Sequence, residues 1–185
     1  MKQTNLFLSF LVLGVLVVST GALAQAPADP AIEKALAAAP ANLKDGATVV
    51  KWKPDQTYDT LRKGTNRLVC YDRSGLPGQQ AYSIECTSIA NLERAAQNLK
   101  FEAMGAQKQA LLDAAEKDGT RKKPEFGSVW YHMMGASKEA ARPHMTIAVP
   151  FASEKTIGLP ENGKQGGVWI MNAGTSTAHL MTPGE

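Results

Sequence analysis

Residues 87–119 read TSIANLERAAQNLKFEAMGAQKQALLDAAEKDG, and this stretch decides the fold class. Ile89, Leu92, Ala96, Leu99, Ala103, Ala106 and Ala110 recur at spacings of three and four, which places them on one face of an α-helix. Thr87 or Ser88 supplies an N-cap and Gly119 a stop. The spacing predicts one long helix. Gly105 marks where it would break in two, because glycine costs about 1 kcal/mol in a helix interior. The apolar stripe is narrow and rich in Ala. It suits close packing on a sheet better than a coiled coil, which needs more large apolar side chains.

Strand signals lie on both sides of this helix. Before it come Thr48–Lys53, closed by Pro54, then Thr57–Arg62 and Leu68–Tyr71, with a turn at Lys63–Asn66. After it come Phe126–Met134, His144–Val149, Val168–Met171 and Ala178–Met181, punctuated by Gly135, Pro143, Pro150, Pro160 and Gly163. Asn172–Thr175 joins the last two as a hairpin. Asp29-Pro30 starts a short N-terminal helix that ends before Pro40, since Asp caps and Pro tolerates the first helical position. Leu43–Gly46 reads as a turn. Strands, a long helix and more strands, without βαβ alternation, predict an α+β domain. Its mostly antiparallel sheet packs against the one long, or broken, helix. Residues 25–185 fit a single domain of this kind.

Residues 1–24 carry a different message. Lys2 gives a positive start, Leu6–Val18 is almost unbroken apolar sequence, and Ala22-Leu23-Ala24 is a small-x-small cleavage site. The apolar run is short of the roughly 20 residues that span a bilayer. The segment therefore reads as a Sec-type signal peptide cut between Ala24 and Gln25, and no Cys follows to take a lipid anchor. A periplasmic or secreted location is expected. Cys70 and Cys86 are the only cysteines, and in an oxidising compartment they are expected to form a disulfide. The net charge of +3 gives no general attraction for nucleic acid or an anionic membrane. Arg121-Lys122-Lys123 is a local basic turn.

The chemistry-bearing residues are few. All three histidines, His132, His144 and His179, fall on predicted C-terminal strands. Residues two apart on a strand share a face, so His132 projects with Met134 and His179 with Met181. Imidazole and thioether together are a ligand set for copper, and His144 could add a third nitrogen. Each histidine is equally accounted for as a hydrogen-bonded structural group, and Met as a gap-filler in the core. Trp52, Trp130 and Trp169 are core residues or the lining of a pocket. Arg142 and His144 flank Pro143 at the mouth of a strand, where they could orient an anionic group. There is no Gly-x-Ser-x-Gly elbow, no His-Glu-x-x-His and no P-loop spacing.

The chain resembles a family of uncharacterised exported bacterial proteins with no established function. The likeness runs through Leu61–Asn66, Cys70 and Cys86, and Pro143-His144-Met145. It continues through Gly166–Met171 and Gly174-Thr175 to Ala178–Met181. The resemblance implies no activity, cofactor or partner. It does favour Arg62, Asn66, His144 and His179 over His132 as functional candidates. Arg67-Leu68 stands where the family leads one to expect an aromatic after Asn66.

These readings combine into one expectation. The protein is an exported, non-catalytic module that binds a small ligand or an envelope partner near His144, His179 and Trp169, with Arg62, Asn66 and Arg142 as further candidates. No cofactor is needed for this. Copper held by His132, Met134, His144, His179 and Met181 is one alternative. A hydrolase-like enzyme with His144 or His179 as general base is the other, because histidine titrates near neutral pH.

Overall fold

A computed structural model describes residues 29–182 of the protein. The signal segment 1–24 and its cleavage point at Ala24 and Gln25 lie outside the described residues. Helix α1 (Pro30–Ala35) opens as its sequence implies, with the Asp29 carboxylate accepting from the Ala31 amide at 2.8 Å. A 3₁₀ turn over Leu36–Ala38 prolongs it. The first half of the predicted turn at Leu43–Gly46 is the end of a short helix, α2 (Ala41–Lys44), and only Asp45 and Gly46 turn.

The strands are β1 (Thr48–Trp52), β2 (Tyr58–Arg62), β3 (Leu68–Asp72), β4 (Tyr82–Ser88), β5 (Val129–Gly135), β6 (Arg142–Ala148), β7 (Trp169–Met171) and β8 (His179–Met181). Among the described residues they form one eight-stranded sheet in the order β2-β1-β3-β4-β5-β6-β8-β7. The protein is α+β, and the rest of the sequence expectation is met in part. The sheet is mostly antiparallel but mixed, because β1 and β3 run parallel while the other neighbours are antiparallel. The helical stretch is the broken form of the two that the sequence allowed, α3 (Leu92–Glu102) and α4 (Lys108–Lys117), separated at Gly105. Gly105 takes φ +53, a left-handed conformation that redirects the chain. The apolar stripe therefore stops early: Leu92 and Leu99 are buried, whereas Ala103, Ala106 and Ala110 are exposed. A short helix, α5 (Glu154–Ile157), follows β6.

Strand β4 has no counterpart in the sequence reading, yet it sits at the centre of the sheet. Six of its seven residues are buried. Its partners are β3 on one side and β5 on the other, so Cys70 faces Cys86 directly and the two form the expected disulfide.

Residues paired across neighbouring strands share a face of the sheet. One face carries the disulfide with Val49 and Leu68, packed under Ala35 and Leu36 of the N-terminal helical segment. The other carries Val50, Trp52, Val69, Tyr71, Trp130 and Ala148, covered by Leu92, Ala95 and Leu99 of α3. The register runs Tyr71 to Glu85, Glu85 to His132 and His132 to His144. A row of polar side chains thus crosses four strands on the α3 face, and it leads out from under the helix.

Candidate functional site

Glu85 anchors this row. Its residue is 2% exposed, and its carboxylate accepts from the Tyr71 hydroxyl, from Arg73 and from Nδ1 of His132 at 3.2 Å. Arg73 also donates to Glu102 at 2.7 Å, so one buried guanidinium is matched by two carboxylates. Burial alone would raise the Glu85 carboxyl. The Arg73 charge and the hydrogen bonds from His132 and Tyr71 outweigh it and hold the group down to about 2. For Arg73 burial acts first to lower the pKa, and the charges of Glu85 and Glu102 overturn it and raise the value. Tyr71 is pushed well up, by burial first and then by the Glu85 charge.

The ionised Glu85 only accepts hydrogen bonds, so Nδ1 of His132 carries its proton and Nε2 is left available. His179 is fixed in the same sense, with Nδ1 2.7 Å from the Thr177 carbonyl oxygen. His144 lies opposite His132, their rings 5.9 Å apart and tilted. Its pKa is lowered, by burial first and then by His132 and His179. The third histidine joins because β8 pairs with β6, with His179 opposite Ala148 and Met181 opposite Thr146.

All three histidines line one cleft of about 260 Å³, together with Glu85, Arg94 and Trp130. The clustering is a product of strand order. Strands β5, β6 and β8 are neighbours in the sheet although β7 intervenes in sequence between the last two.

The other sequence candidates take different places. Met134 and Arg142 oppose each other one step along the β5–β6 ladder, on the histidine face, and Arg142 donates to the Ala141 carbonyl at 3.1 Å. Trp169 sits on β7, opposite Met181, with its indole against Gly163. Arg62 and Asn66 lie at the far side of the sheet, where their hydrogen bonds go to backbone. Arg62 donates to the Lys44 and Ala47 carbonyls. Asn66 donates to Leu43 and accepts from the Leu68 amide. Gly64 between them approaches the chain so closely that a Cβ would stand 2.3 Å from the Gly46 oxygen. The Arg62–Asn66 motif thus ties α2 and β1 to the start of β3. Five strand spacings separate β2 from β6, about 24 Å at the usual 4.8 Å.

Among the described residues, no group of three or more His, Cys, Asp or Glu side chains is placed to hold a metal ion. The thioethers of Met134 and Met181 do share the histidine face.

Three charged residues of the cleft have no forerunner in the sequence reading: Glu85, Arg73 and Arg94. The first two are buried on or beside strands and paired with each other. Arg94 is 4% exposed, on α3. The one available signal was the Tyr82–Thr87 segment, whose β-branched, aromatic and Cys positions could have been read as a strand bringing Glu85 inward. No protein-family model, curated protein or solved structure matches the chain.

Proposed function

We propose that the protein is an exported, disulfide-bonded module that binds a small ligand in the histidine cleft. The observation that carries this reading is the convergence of His132, His144 and His179 with Trp130 on one cleft of about 260 Å³. That volume approaches the lower end of common small-molecule sites, and a few placed polar groups beside an aromatic wall are what such sites use to orient a ligand. The N-terminal segment and the family resemblance support an exported protein, and the Cys70–Cys86 bridge is consistent with an oxidising compartment.

The test is two-dimensional NMR of the full chain, purified oxidised, against a small-molecule fragment library. The reading expects saturable shifts confined to His132, His144, His179 and Trp130, abolished by H144A. Saturable shifts elsewhere with an unmoved cleft, or no saturable binding at all, would overturn it.

The Glu85–His132 pair favours a second reading. A carboxylate that fixes the tautomer of a histidine is the arrangement that prepares an imidazole for proton transfer. Turnover of a bound fragment in the wild type, lost in H132A with binding retained, is the result that selects it.

A further inference from the structure

Arg94 is a buried guanidinium in the wall of the histidine cleft. It donates to the Lys122 carbonyl, to Ser176 Oγ at 3.1 Å and to Thr177 Oγ1 at 2.8 Å. These take three of its five N–H groups. None of the three acceptors is charged, and among the described residues Arg94 joins no ion pair.

The surrounding charges explain why this matters. Arg73 is matched by Glu85 and Glu102, and the Glu85 oxygens are occupied by Arg73, Tyr71 and His132. Near Arg94 stand Arg121, a like charge, and Glu116. The Glu116 carboxylate reaches Arg94 only through the Ser176 and Thr177 hydroxyls. Arg121 also feels Glu102, which leaves Glu116 as the one carboxylate acting on Arg94, and it does so indirectly. Burial lowers the Arg94 pKa to about 9, with Arg121 acting in the same direction and Glu116 opposing. A buried charge without a direct counter-charge is costly, and a bound anion relieves that cost.

We propose that the cleft selects a small oxyanion, a carboxylate or a phosphate, and that Arg94 is the residue that seats it. This deepens the ligand-binding reading above and rests on it. The planar fork of a guanidinium matches two oxygens of either group. His144, across the cleft, and Nε2 of His132 and His179 supply the remaining polar contacts. Trp130 closes the apolar side.

The experiment follows the Arg94 Nε–Hε signal of the full chain in ¹H–¹⁵N spectra during titration with succinate, inorganic phosphate and the neutral analogue succinamide. At least one anion is expected to shift that signal and the His144 ring signals saturably, with succinamide leaving both in place. A response to succinate alone identifies a carboxylate, and a response to phosphate alone a phosphate. In R94K, which keeps the charge and loses the fork, the affinity should fall at least tenfold. G64A, whose new methyl group strains the turn at the far side of the sheet and meets no residue of the cleft, should lower the melting temperature and leave the affinity within about threefold. If R94K does not fold, the wild-type comparison of anions with succinamide decides alone. The proposal is overturned if neither anion moves the Arg94 signal, or if a folded R94K binds as tightly as the wild type. Fragment binding in the cleft would then leave the ligand-binding reading standing without its anion. A cleft that responds to nothing would sink both.

Discussion

Glu85 and His132 face each other on neighbouring strands, and the carboxylate holds Nδ1 of the imidazole at 3.2 Å. The same carboxylate is the direct partner of Arg73, so one buried group joins the core of the sheet to the wall of the cleft. Replacing it by an amide leaves a buried guanidinium with half its counter-charge. E85Q should lose about 3–5 kcal/mol of stability, the usual cost of breaking a buried pair from one side. Urea denaturation followed by circular dichroism measures it.

Acid should act on the same group. The folded Glu85 pKa of about 2 lies below the ordinary value near 4.3, so the unfolded chain binds the proton more readily. Its stabilisation is complete above about pH 4.3 and is lost as the pH falls toward 2. The wild type should lose stability through that window, and E85Q should lose less of its own. Denaturation midpoints measured from pH 5 to pH 2 compare the two slopes.

His144 should titrate below the ordinary histidine value of 6.5, because burial and its two histidine neighbours all disfavour the charged ring. The native state then binds fewer protons than the unfolded chain, and this contribution to stability declines as the pH drops through 6.5. Ring-proton NMR gives the midpoint directly. H179A and H132A should each move it upward.

Reduction of Cys70–Cys86 should cost about 3 kcal/mol, because the bridge closes a loop of sixteen residues in the unfolded chain. The bond joins two central strands already held by their ladder, so the reduced protein should keep its far-ultraviolet spectrum while its denaturation midpoint falls. Parallel urea curves with and without reductant make the comparison.

G64A should destabilise by about 1–3 kcal/mol, since the new methyl group meets backbone atoms of Gly46 and Thr48 that have no free rotamer to yield. Nothing in this turn touches the cleft, so the folded fraction should bind the fragments that the wild type binds. Denaturation midpoints and the NMR titration separate the two effects.

The fold class was legible because it rests on local periods. Leu92 and Leu99 sit a helical repeat apart, and His132 and Met134 a strand repeat apart, wherever their neighbours go. The row from Tyr71 to His144 was not legible. It depends on which strand lies beside which, and β4 was hidden because Thr87 reads as a helix cap and Ser83 and Glu85 interrupt the apolar residues before it. Those polar groups are buried, and Glu85 at least is matched by partners from β3 and β5, which no local window contains. Arg94 looked like an ordinary charge on a helix surface for the same reason: two of its acceptors come from residues more than eighty positions away. Alanine at 106 and 110 misled in the opposite direction, continuing a pattern past the glycine where the chain turns.

The insertion of β8 between β6 and β7 sets an order of events during synthesis. A growing chain that has reached β7 already holds His132 and His144, but it lacks Thr177, Ala178 and His179 from the cleft wall, and the β6 edge is still open. An open strand edge is prone to pair with other chains. Trimming the chain back past residue 176 would recreate that nascent condition in a finished molecule, removing the two hydroxyl acceptors of Arg94 and the third histidine in one cut. A closed cleft wall is thus the last feature this sheet acquires and the first that proteolysis from its C-terminal side would take away.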